Sequence, residues 1–174
     1  PVMARENSTS GAVRAEDQRL RGISRSLLIA VGGTGHRVLL DIRQRMIQKY
    51  GSTDHVPIVS YLLLDTDEAI FTSNPNFSEA ANLPSADKIH TSVHGVDQLR
   101  QNLHQYPHLR DWLDPRTLSG DIAQGAGAVR ARGRLAYFWN YEKISRRIEE
   151  KYTEITKDAS KAAAMRRGLQ VSEG

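Results

Sequence analysis

Three short segments of this sequence carry residue types suited to holding phosphate. The first is Gly32-Gly33-Thr34-Gly35-His36. Glycines let the backbone turn sharply and let an anion reach the N–H groups with no Cβ in the way. A helix that opens just after such a loop adds the positive end of its dipole. The plain alternative is an ordinary tight turn between a strand and a helix. The second segment is Asp65-Thr66-Asp67. Its carboxylates suit a hydrated metal ion held through water, or hydrogen bonds to a sugar or a base. Asp and Thr are also common helix caps, so the residues leave both roles open. The third segment is Gly125-Ala126-Gly127-Ala128, followed at alternate positions by Arg130, Arg132 and Arg134. Backbone N–H groups with guanidinium groups beside them suit a terminal phosphate. A flexible hinge is the alternative. Cations in the first turn of a helix oppose its dipole, a mild cost that a bound anion would offset.

Other chemistries fit less well. The phosphate loop GxxxxGK[ST] is absent, because no Lys follows the glycines. The dinucleotide fingerprint GxGxxG is matched at Gly33 and Gly35, but Val38 stands where Gly or Ala is expected. Asp65 could hold a ribose as in NAD proteins, yet it lies further past the glycines than the usual ~20 positions. An NAD- or FAD-binding enzyme is therefore the second reading, and a non-enzymatic module that docks a partner is the third. His90 and His94 have a spacing that suits a metal only on a helix, and the intervening sequence does not read as one. With His104 and His108 they are expected to be exposed or hydrogen-bonded. No Gly-x-Ser-x-Gly elbow is present. Trp112, Phe138 and Trp139 are most simply core residues.

The elements that must position these loops follow from hydrophobic pattern. Ser26 to Val31 is a short, continuous apolar run, the signature of a buried parallel strand, and it ends on the first glycines. His36 to Tyr50 has helical spacing, with Val38, Ile42 and Met46 on one stripe, Leu39 beside it and Gly51 as a C′ residue. Val56 to Leu64 reads as a second buried strand that delivers Asp65-Thr66-Asp67, after which a helical turn starts near Glu68. That completes a βαβ unit. Residues 72–124 carry the weakest pattern, broken by Asn74-Pro75 and Leu83-Pro84. Helical turns are expected at Val96 to His104 and Leu109 to Leu113, with Asp114-Pro115 as a stop. One long helix is expected after the third loop, with Leu135, Phe138, Trp139, Ile144, Ile148, Tyr152 and Ile155 on its stripe and Gly168 at its end. Residues 169–174 look like the approach to another strand. Since two parallel strands are too few to stand alone, the chain is expected to be part of a larger fold. Residues 1–22 are polar and read as a flexible leader, which leaves residues 23–174 as the domain.

Composition narrows the class. With 174 residues, 39% hydrophobic and 25% charged, the chain can bury one core. The net charge of +4 and only 6% aromatics give little support to nucleic acid as a partner. The absence of cysteine excludes a disulfide framework and a cysteine metal site. The apolar runs are far shorter than the ~20 residues of a membrane span, and the N-terminus shows no signal-peptide pattern. A cytoplasmic location is the default expectation.

With the three loops in this order, the chain resembles the tubulin/FtsZ superfamily. The segments that carry the resemblance are Leu-Leu-Ile-Ala-Val-Gly-Gly-Thr-Gly at 27–35, Leu-Leu-Leu-Asp-Thr-Asp at 62–67 and Gly-Ala-Gly-Ala-Val-Arg-Ala-Arg-Gly-Arg-Leu-Ala at 125–136. It looks closest to the bacterial proteins described as tubulin-like. The resemblance implies a Rossmann-like, three-layer α/β nucleotide-binding domain with a parallel sheet, of which this is the N-terminal portion. It implies GTP or GDP with Mg2+ as the ligand. Gly32, Gly33, Thr34, Gly35 and His36 would then line the inner phosphates. Asp65, Thr66 and Asp67 would lie near the phosphates and the metal ion, which Asp65 and Asp67 would hold indirectly. Gly125, Ala126 and Gly127 would meet the terminal phosphate, with Arg130 and Arg134 as further phosphate partners. The superfamily's GGGTGSG-like loop and its acidic catalytic loop would lie beyond Gly174, and residues 72–124 would be a variable insert. Head-to-tail self-association and a GTPase activity are implied only for the assembled, full-length protein.

Overall fold

The computed structural model describes residues 24–156. The expected leader at 1–22, the helix end at Gly168 and the strand approach at 169–174 lie outside the described residues. The architecture is α/β, with a three-stranded parallel sheet between helices. Strand β1 (Ser26–Val31) pairs with β2 (Val59–Asp65) from Ser26↔Val59 to Val31↔Leu64. A third strand, β3 (Lys88–His90), pairs with the far side of β2, from Leu63↔Lys88 to Asp65↔His90. The second strand starts later than its apolar run suggests: Val56 and Ile58 pack instead against Tyr50 at the end of the preceding helix. The third strand is too short for any alternation to show, so its sequence carries no strand signal.

The period of two sorts β2 between two layers. Tyr61 and Leu63 face helix α1 (Gly32–Tyr50) in a cluster with Ala30, Leu39 and Leu40. Leu62 and Leu64 face the opposite way, into a cluster with Ile89 and Ile144. Leu40, Leu62 and Leu63 are wholly buried, and each such side chain contributes about 1.5–3 kcal/mol relative to exposure. Helix α1 ends as expected at Gly51, which has φ 80° and donates its N–H to Ile47 O at 2.7 Å. Its buried face is the expected stripe shifted to one side, with Ile42 and Met46 partly buried against the core. Leu39, Leu40, Arg43 and Tyr50 are buried, while Val38 is 55% exposed. The line through these positions begins at Gly35, which packs closely on the strand; a Cβ there would stand 3.3 Å from Ala30 Cβ. That contact sets the rotation of the helix. Buried Arg43 lies over the Tyr61 ring at 4.7 Å and donates to Ala81 O at 2.8 Å and Ala80 O at 3.1 Å, holding that turn to the helix.

Between β3 and the third loop, residues 93–122 close on themselves. Helices α2 (Val96–Gln101) and α3 (Pro107–Arg110) bring Val96, Leu99, Leu103, Leu109, Leu118 and Ile122 into one cluster. The cluster also takes Leu135 and Ala136 from helix α4 (Arg130–Trp139). The expected single long helix is two. Asn140 breaks it, with its side-chain N–H donating to Ala136 O at 2.9 Å and to Ser92 O at 3.0 Å. Helix α5 (Tyr141–Thr156) follows and covers the second face of the sheet. It is tied to the turn before β3 by a nearly buried ion pair, Lys151 Nζ to Asp87 Oδ1 at 2.6 Å. Lys143 donates to His90 O at 3.0 Å and Arg147 donates to Ala86 O, tying α5 further to β3 and the turn before it. No helix among the described residues is long and apolar enough to cross a membrane.

Candidate functional site

The first loop has no linker: β1 ends at Val31 and α1 begins at Gly32, whose φ of 72° only glycine adopts without strain. Val31 occupies the cap position, so no side chain accepts the first N–H groups, and no acidic residue lies in the first turn. A Cβ placed on Gly32 or Gly33 would meet nothing within 4 Å. The turn is therefore open on the side where a Cβ would project. Thr34 is exposed, whereas Gly35 faces inward onto Ala30. His36 also turns inward, and its Nε2 is buried without a hydrogen-bond partner among the described residues. Burial first, and Lys88 second, hold the imidazole below its ordinary pKa, against an opposing pull from Asp65.

The second and third loops form one hydrogen-bonded unit. Gly125 N–H donates to Thr66 O at 3.1 Å and Glu68 N–H donates to Ala123 O at 3.3 Å, around an antiparallel bridge between Asp67 and Gln124. His90 Nε2 lies 3.1 Å from both Thr66 O and Ala123 O, so a proton on that nitrogen ties both strands of the bridge. The carboxylates also serve the local backbone: Asp65 Oδ1 accepts Asp67 N–H at 3.1 Å, and Asp67 Oδ1 accepts Ala69 N–H at 2.9 Å as a cap. Beyond the bridge, Gly125 (φ 97°), Gly127 (φ 61°) and Ala128 (φ 58°) follow a left-handed path. At Ala128 this costs about 1–2 kcal/mol, because its Cβ approaches the following carbonyl. The three arginines part company. Arg130 is exposed in the first turn of α4. Arg132 donates to Ser119 O at 2.8 Å and Asp121 O at 3.1 Å. Arg134 stacks on Trp112 at 4.1 Å.

A cavity of about 160 Å³ at the carboxyl ends of the strands is lined by Gly32 from the first loop, Asp65 and Thr66 from the second and Ala126 from the third. Leu64 and Ile144 also line it. Gly33, Thr34, Asp67, Gly125 and Gly127 lie on the same loops outside this lining. The volume falls short of the ~300–1,000 Å³ of a complete ligand pocket, so the described residues supply one part of a site. A larger cavity, about 350 Å³, lies at the opposite end of the sheet beside Arg43, Pro57 and Tyr61. In open α/β sheets ligands sit at the carboxyl ends, which favours the smaller one.

A family described as tubulin-like matches residues 27–174. The chain belongs to the tubulin-like family. No curated protein and no solved structure matches it at a significant level. In this tubulin-like chain, the three segments singled out in the sequence are the ones whose ends converge on the cavity. Three lining residues were not singled out in the sequence: Thr91 just past β3, and Gly133 and Tyr137 on α4. Gly133 stood in plain view inside the arginine run, and its helical spacing to Tyr137 was the one clue to the pair. Among the described residues no three His, Asp or Glu side chains lie close enough together to hold a metal ion. A divalent ion bound here would need phosphate oxygens and water to complete its shell.

Proposed function

We propose that this tubulin-like chain binds the phosphates of a guanine nucleotide, GTP or GDP with Mg2+, at the cavity between its three loops. The observation that carries the reading is the convergence of Gly32, Asp65, Thr66 and Ala126 on one cavity at the carboxyl ends of the strands. The uncapped N–H groups of Gly32 and Gly33 meet phosphate oxygens, aided by the dipole of the 19-residue helix behind them. Asp65 and Asp67 hold the metal ion through its water ligands, and the third loop meets the terminal phosphate with the backbone N–H groups of Ala126 and Gly127, while Gly125 N–H stays on Thr66 O. Arg130, free in the first turn of α4, adds charge at the rim, and Arg134 joins it on leaving Trp112. No catalytic residue is assigned. Hydrolysis requires water aligned against the terminal phosphate, and a second subunit of the full-length protein supplies that alignment. Such head-to-tail contacts are heterologous and build filaments, which act in the cytoplasm.

Isothermal titration of the full-length protein with GTP, ATP and NAD in the presence of Mg2+ tests the reading. GTP binding with weak or no NAD binding is the expected result, followed by nucleotide-dependent sedimentation. NAD binding in place of GTP would return the glycine loop to a dinucleotide enzyme, and a protein that remains monomeric in GTP would remove the filament.

A further inference from the structure

Tyr137 is the one aromatic side chain lining the cavity, and the proposal above leaves it without a role. It is half exposed, so it is not core. On α4 it follows Gly133 by four positions, and both line the cavity. Helical side chains lean toward the N-terminus and cover the preceding turn. At Gly133 that turn carries no side chain, and it lies against the third loop: a Cβ there would stand 3.9 Å from Ala126 Cβ. The Tyr137 ring therefore has the space over Gly133 in which to lie, toward the loop. Tyr141 supports it from the next turn, edge to face, with centroids 6.3 Å apart and planes at 72°. None of the residues lining the cavity is cationic, and one, Asp65, is acidic. Within the lining itself, the donors for an anion are neutral: the loop N–H groups and the hydroxyls of Thr66, Thr91 and Tyr137.

We infer that Tyr137 is a nucleotide-contacting residue whose phenol hydroxyl donates a hydrogen bond to the terminal phosphate of the triphosphate. The inference rests on the guanine-nucleotide reading above and adds to it a means of telling triphosphate from diphosphate. Tyr137→Phe removes the hydroxyl and keeps the ring. In the full-length protein it is expected to weaken GTP binding roughly tenfold or more, the usual loss for a hydrogen bond to a charged group. GDP binding should stay within about twofold, as should both affinities in Tyr141→Phe, whose supporting ring is retained. An unchanged thermal midpoint in Tyr137→Phe would show that the fold is intact. Equal weakening of GTP and GDP would overturn the inference in favour of a purely supporting role, and so would no weakening of either, while the nucleotide reading survives both. A wild-type protein that binds neither nucleotide would overturn that reading and the inference together.

Discussion

The two glycines at 33 and 35 stand two positions apart on one helix turn, yet alanine should act on them in different ways. At Gly33 an added Cβ meets nothing within 4 Å, and the backbone is already helical. Gly33→Ala should therefore leave folding unharmed, or stabilise it by about 0.5–1 kcal/mol through the reduced freedom of the unfolded chain. A phosphate that approaches the loop would meet the new methyl group. GTP affinity is expected to fall at least tenfold, which corresponds to about 1.4 kcal/mol. At Gly35 the added Cβ would stand 3.3 Å from Ala30 Cβ and 3.4 Å from two backbone atoms of Ala30. Overpacking of this kind costs about 1–3 kcal/mol, and the helix-propensity gain offsets part of it, leaving a net loss on the order of 1 kcal/mol. Urea denaturation and isothermal titration of the full-length protein separate the two effects. Gly33→Ala should keep its denaturation midpoint and lose GTP; Gly35→Ala should lower its midpoint. Wild-type GTP affinity in Gly33→Ala would refute the idea that the open face of this turn is where phosphate arrives. A Gly35→Ala protein as stable as wild type would refute the close contact between α1 and β1.

Lys151→Met should destabilise the protein by about 3–5 kcal/mol, because it leaves the nearly buried Asp87 carboxylate without its partner. Adding Asp87→Leu should recover most of that loss in urea denaturation, and a double variant no better than the single one would argue against the pair. The pKa of His36 is depressed in the folded protein by burial and by Lys88. The unfolded chain, with an ordinary imidazole near 6.5, then binds more protons than the folded one as pH drops below that value. Stability is thus full above pH ~6.5 and declines as pH falls toward the folded pKa. His36→Gln should flatten the thermal midpoint between pH 7.5 and 5.5, and an unaltered slope would show that other groups cause it.

Helix α1 and strands β1 and β2 were legible because their signals are local: continuous apolar runs, a helical period and Gly51 at the helix end. The burial expected of β1 holds for Ala30, while Ile29 and Val31 are exposed because β1 is an edge strand of the described sheet. The rotation of α1 was legible only in part: Leu39 is buried and Ile42 and Met46 pack against the core as expected, whereas Val38 is exposed because the buried line runs through Gly35, Leu39 and Arg43. The break at Asn140 was hidden. The residues around it keep helical spacing, and the carbonyl that draws its amide away belongs to Ser92, distant in sequence. Phe138 and Trp139, expected in the core, are close to half exposed. Both lie at the end of α4, where the helix stops and the Phe138 ring rests on His108 at 5.3 Å.

The sequence by itself singled out the three loop segments, because a glycine loop after an apolar strand is specified by adjacent residues, and it determined the family to which they point. Tertiary structure decided how the segments meet. Only pairing across the sheet made a strand of Lys88–His90, since three residues have no period of their own. Only the bridge between Asp67 and Gln124 joined the second loop to the third, and only the approach of α4 brought Gly133 and Tyr137 to the cavity. Each of these contacts joins residues far apart along the chain, and no local propensity encodes which distant partner a hydrogen bond or a side chain will find.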